Sequence, residues 1–440
     1  MRRALIAGVV LLVLFCQSCT VIVNKKTEAV KEIELNDCLL WKREKDYGGN
    51  FEESLIENNM LYISSDAAKG SYLVAVDLLT GNEKWRFVTN ADRLTNLAIG
   101  NGKIFFGSSY GYLYALDNET GKEVWRYKAP SEIYVFIYFH NNSVIFRDYT
   151  YNIYSIDTET GKKIWQYNQT PALKNGEMLD HGPVYDSGII FFENENKMLI
   201  GLDANNGKVR WSIPDNFEKD YGFEFAYGMI YCIKEIVNNE YIELTAISLQ
   251  NGNETFSKRI PIDTKGKLDI QMYFSGGNTY LNVNNITLYG FDGLTGIEKV
   301  KLDLKKYNID QDNNEKTTYE NRKKFLINND FTYFIGANKM FGTPALFIID
   351  LKSGREVLKK GLGIHNDYFY EQPTDNKIYL RIDEKKLLVL DLSTGNELKK
   401  VNVGFNFEIV KVDEDIVLIT EPYEFGIQTT PAFLYALNLG

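Results

Sequence analysis

The 440-residue chain repeats itself. YLYALDNETGKEVWRY, from Tyr112 to Tyr127, returns as YLVAVDLLTGNEKW from Tyr72 to Trp85, IYSIDTETGKKIW from Ile153 to Trp165 and LIGLDANNGKVRW from Leu199 to Trp211. Four weaker copies keep the same four-residue offset to a glycine: Ser248 with Gly252, Asp292 with Gly296, Asp350 with Gly354 and Asp391 with Gly395. From Gly81 to Gly395 the period is about 45 residues, the range of propellers and solenoids. One body made of stacked units therefore accounts for a length that otherwise fits two or three domains.

Each copy reads as two antiparallel strands joined by a short turn. The stretch before the Asp is apolar and aromatic at strand length, and the Asp carboxylate accepts a backbone hydrogen bond that starts the turn. The Gly four residues later supplies the positive φ that such loops need. This assigns Asp77 and Gly81, Asp117 and Gly121, Asp157 and Gly161, and Asp203 and Gly207 to turn chemistry, not catalysis. Another strand pair precedes each hairpin, as in Leu97–Ile99 followed by Gly100-Asn-Gly102 and Ile104–Gly107. Four strands per unit make a propeller blade. Glycines and turn residues interrupt the chain too often for a helical repeat.

All five tryptophans share one place in the unit. Trp85, Trp125, Trp165 and Trp211 lie eight residues after their Asp; Phe256, Val300 and Leu358 take that place later, and Lys399 breaks the series. Trp41 resembles an outer strand with no turn before it, while Phe433–Asn438 resembles the strand before a turn. The two are complementary halves of one hairpin. Pairing them closes a ring and removes the open edges that invite aggregation. The fold class expected is all-β, a closed propeller of four-stranded blades. Familiar propellers of this repeat mostly have eight blades, but nine strands of the Leu-Tyr-Ala-Leu type favour nine here.

The Ala-x-Asp-x-x-Thr-Gly-x-x-x-Trp pattern resembles the pyrroloquinoline quinone-like propeller repeat, strongly in the first four units and more weakly later. The resemblance implies that the Trp side chains pack between neighbouring blades. With the N-terminal leader described next, the layout is similar to BamB-type lipoproteins. That likeness implies an accessory scaffold of outer-membrane β-barrel assembly, facing the periplasm and holding protein partners by its loops. Quinoprotein dehydrogenases share the repeat, but are typically longer and hold their cofactor over adjacent cysteines. Here Cys38 and Cys232 fall in different units, so no cofactor and no catalytic residue is expected. A ligand or carbohydrate sensor using the central channel is the alternative.

The N-terminus reads as a secretory leader. Basic Arg2 and Arg3 precede an apolar run from Ala4 to Phe15, too short to span a bilayer. Ser18-Cys19 resembles a lipobox, which assigns residues 1–18 to a signal peptide and Cys19 to lipidation. Cys16, three positions before Cys19, stands where the family prefers Leu. Residues 19–36 are then anchor and tether, the polar part (20–36) reaching at most roughly 50–60 Å, and residues 37–440 a single propeller domain. Two remaining thiols are too few for a disulfide framework. A net charge of −10 argues against nucleic acid as a partner.

Three further motifs are weighed as structural. Gly107-Ser-Ser109-Tyr-Gly111 fits a nucleophile elbow only on paper, because it lies between two strands. Asp310-Gln-Asp312 opens like a calcium loop but places Glu315 where a Gly is needed. His140, His181 and His365 lie in separate units without ligand spacing. The polar excess of residues 305–324 reads as a long loop between units.

Overall fold

The computed structural model describes residues 31–44, 54–65, 70–168, 183–194, 198–214, 217, 223–237, 240–262, 268–307, 325–328, 330–337, 344–361, 368–369, 377–382, 385–391, 394–413, 415–420 and 433–439. Among these residues the strands form nine sheets, seven of them antiparallel meanders of four consecutive strands, while the other two also take a strand from the N-terminal segment. Blade 1 holds Leu55–Glu57, Met60–Ser65, Tyr72–Asp77 and Glu83–Val88. Blades 2 to 7 repeat this order, beginning at Ala98, Ile133, Val184, Phe223, Ile270 and Phe325. The weak units of residues 253–360 are thus separate blades, and the count is nine.

Blade 9 is closed by the N-terminus. Its first three strands are Glu408–Asp413, Ile416–Thr420 and Phe433–Asn438, and its outer strand is Leu39–Glu44. Trp41 faces Ala436 and Arg43 faces Leu434 in antiparallel register. The expected complementarity of the two half-hairpins is therefore realised.

Blade 8 departs from the four-stranded rule. Its four strands run from Tyr368 to Asn402, and Glu32–Glu34 adds a fifth, parallel to the outer strand with Glu32 beside Lys400 and Glu34 beside Asn402. The folded body therefore begins before residue 37, in residues read from sequence as tether. Too few apolar positions mark this three-residue strand for its period to be read.

The core lies between the sheets. Phe105, Leu113 and Ala115 of blade 2 pack against Ile133, Phe146 and Tyr154 of blade 3. Tyr333, Leu346 and Ile348 of blade 7 pack likewise against Leu380, Leu388 and Leu390 of blade 8. A blade buries both faces only when it has two neighbours, which is why a repeat of this kind stands as a ring. Outer strands such as Glu83–Val88 alternate charged exposed residues with the buried Trp, and those charges discourage edge pairing.

Candidate functional site

The recurring Asp, Thr and Gly residues form the turns between third and fourth strands. Asp77 Oδ1 accepts from the Thr80 N–H and the Thr80 hydroxyl, both at 2.9 Å. Asp117 does the same with Thr120 at 2.8 and 2.7 Å, and Asp157 with Thr160 at 2.7 and 2.8 Å. Bonds from the Thr hydroxyl and then its N–H hold the Asp77 and Asp117 carboxyls below their ordinary range; at Asp157 the N–H contributes more. Burial pushes Asp203 upward, yet the Arg210 guanidinium at 2.7 Å keeps it low. Gly81, Gly121, Gly161 and Gly207 all adopt φ between 66° and 71°.

The glycines have a second duty that the sequence did not reveal. A Cβ on Gly121 would lie 2.4 Å from the Trp85 ring, and one on Gly161 2.8 Å from Trp125. Trp165 covers Gly207, Trp211 covers Gly252, and Trp41 covers Gly81 in the same way. Each indole thus seats on the turn of the following blade. Its N–H then donates to the carbonyl one residue past that turn's first residue: Trp41 to Leu78 at 2.8 Å, Trp85 to Asn118 at 3.0 Å, Trp125 to Thr158 at 2.9 Å, Trp165 to Ala204 at 3.1 Å and Trp211 to Leu249 at 2.8 Å. Turn and ring form one inter-blade lock.

The lock needs room within its own blade too. Opposite Trp85, Trp125, Trp165, Trp211 and Trp41 stand Ala75, Ala115, Ser155, Gly201 and Ala436. This small residue, two before the Asp, was visible in the repeat, but its reason was not. Blades 5 and 6 keep a small residue, Ala246 opposite Phe256 and Gly290 opposite Val300, whereas in blades 7 and 8 Leu358 faces Ile348 and Lys399 faces Val389.

These locks define two unlike faces. Eight blades join their first two strands through two residues, and every hairpin between third and fourth strands has five, all on one face. The opposite face carries connections of three to twelve residues within blades and four to twenty-one between them. Loops of variable length on a rigid frame are where binding residues collect. Of the connection between blades 6 and 7, residues 308–324, with Asp310, Asp312 and Glu315, lie outside the described residues.

Gly107–Gly111 joins two strands of blade 2, and Ser108 is buried with its Oγ bonded to the Tyr112 N–H at 3.2 Å. His140 is buried between blades 3 and 4, where Nδ1 meets the Tyr185 hydroxyl at 2.7 Å and Nε2 meets Asn205 Oδ1 at 3.1 Å. Cys38 and Cys232 are buried free thiols. The described residues contain no cluster of three metal-ligating side chains. Cys19, His181 and His365 lie outside the described residues.

A family model for the outer membrane protein assembly factor BamB matches residues 69–217 and 173–401. The chain belongs to the BamB family. No curated protein sequence matches it. Among solved structures, BamB from Moraxella catarrhalis is similar at 11% identity and a TM-score of 0.46, over 91% of this chain and 97% of that one. Quinohemoprotein alcohol dehydrogenase from Comamonas testosteroni gives 15% and 0.46, over 91% of this chain and 76% of that one. The computationally designed protein Ika8 gives 15% and 0.45, over 90% and 99%. Likeness at this level says nothing about activity.

Proposed function

We propose that this BamB-family propeller is a membrane-anchored, non-catalytic scaffold that holds protein partners by its loop face, in outer-membrane β-barrel assembly. The family match over residues 69–401 supports this reading. The division between faces gives it a physical form, because the repeat residues are spent on locking blades and the opposite face is left to vary. Cys19 is proposed as the lipidated residue after removal of residues 1–18, with the chain on the periplasmic side of the outer membrane. With the body beginning at Glu32, residues 20–31 reach at most roughly 40 Å. Such a tether holds the ring near membrane-bound partners and raises their effective concentration.

The test is crosslinking of the anchored chain in its own membrane, with mass spectrometry of the captured proteins and of the N-terminal peptide. The proposal expects a β-barrel assembly complex among the partners and an acylated Cys19. Capture of none of its members, or an unmodified N-terminus cut elsewhere, contradicts the corresponding part.

A further inference from the structure

Locks weaken around the ring in one direction. Five junctions, from blade 9 to blade 1 through blade 4 to blade 5, carry an indole that both stacks and donates. The next three use Phe256 on Gly296, Leu302 on Gly354 and Leu358 on Gly395, which stack without donating. At the last junction, from blade 8 to blade 9, Lys399 holds the Trp position. Blade 9 offers no turn to receive a ring there, because Leu39–Glu44 supplies its outer strand in place of a hairpin.

The N-terminal segment fills this gap. Glu32–Glu34 pairs with blade 8, a four-residue helix Leu35–Cys38 follows, and the chain passes directly into blade 9 at Leu39. Ile33, Leu35 and Leu39 pack on a core built from both blades, in which Cys38 lies buried with Val389, Val401 and Leu437. Glu32 bonds to Lys386 at 3.1 Å and Lys400 at 3.2 Å, and Asn402 donates to Glu34 at 3.1 Å. The Glu34 N–H is in turn capped by Asp37 at 3.2 Å. The strand pairing before the helix is to blade 8, and the strand pairing after it is to blade 9.

We propose that residues 32–38 are a strap that replaces the absent indole lock, so that releasing the segment opens the ring between blades 8 and 9 before any other junction. The strap is the first described part of the chain to meet the ring, so a pull transmitted through the residues before Glu32 loads this seam ahead of the indole-locked arc. Exchange in the outer strand of blade 8 and in the closing pair of blade 9 then reports strap release, while blades 2 to 4 stay protected.

Hydrogen exchange read by mass spectrometry on the full chain tests this with two variants. Ile33→Pro removes a strand N–H and Glu32→Lys sets a third cation against Lys386 and Lys400. The expected result is loss of protection confined to residues 397–402, 39–44 and 433–438. Unchanged protection in both variants, or a loss spread evenly over all blades, overturns the proposal. If Ile33→Pro fails to fold, the milder Glu32→Lys decides between the same two outcomes.

Discussion

Each turn glycine answers two demands, and substitution separates them. Gly102 and Gly121 share nearly the same backbone, at φ of 68° and 67°, but only Gly121 has a ring against it. A methyl group at Gly102 meets nothing within 4 Å. Gly102→Ala therefore bears only the conformational cost of a left-handed residue, about 1 kcal/mol. Gly121→Ala adds displacement of Trp85 and is expected to lose about 1–3 kcal/mol more. Urea unfolding of both variants measures the difference, and equal losses would remove the ring from the explanation. Residue positions were legible wherever they recur: Asp117, Gly121 and Trp125 announce themselves by spacing alone. Lys399 was legible only as an exception, because its cause is a missing partner in another blade and not a property of its own neighbours.

At the scale of the element, the hairpin is a hydrogen-bonded unit with a pH limit. Its carboxyls at Asp77, Asp117, Asp157 and Asp350 lie below their ordinary 3.8 in the folded chain. A depressed folded value means stability that is complete above the unfolded value and lost as pH falls through the folded one. Thermal melts should be insensitive to these groups above pH 5 and fall below pH 4, with Asp117→Asn reducing the slope. A slope unchanged in that variant would remove this turn from the acid response. The strand pair also obeys a size rule that can be transplanted. Leu358→Trp alone overpacks against Ile348 and should cost about 1–3 kcal/mol. Ile348→Ala alone should cost about 2–5 kcal/mol. Together they recreate the Trp85–Ala75 pair, so the double variant should lose less than the sum of the two. Simple additivity would show that the small residue is incidental. Strand pairs and turns could be read from the sequence because their rules are local. The fifth strand of blade 8 could not, since a three-residue parallel pairing leaves no periodic trace.

For the whole molecule, the repeat fixes the architecture and the termini fix its closure. Nine sheets with cores between them leave no blade able to bury its faces alone. The loop face is the part least legible: its segments lack periodicity, and no single sequence shows which of its side chains a partner touches. Ring closure can be tested most directly by a pair of cysteines at Lys42 and Tyr435, which stand opposite each other in the closing register. Antiparallel neighbours are about 4.5–5.5 Å apart at Cα, within reach of a disulfide. The variant Lys42→Cys with Tyr435→Cys should oxidise to an intramolecular bridge, seen as one joined proteolytic peptide pair, and should melt higher than its reduced form. A chain that stays reduced there, while its exposed thiols react freely with an alkylating agent, would contradict a ring closed by its own N-terminal strand.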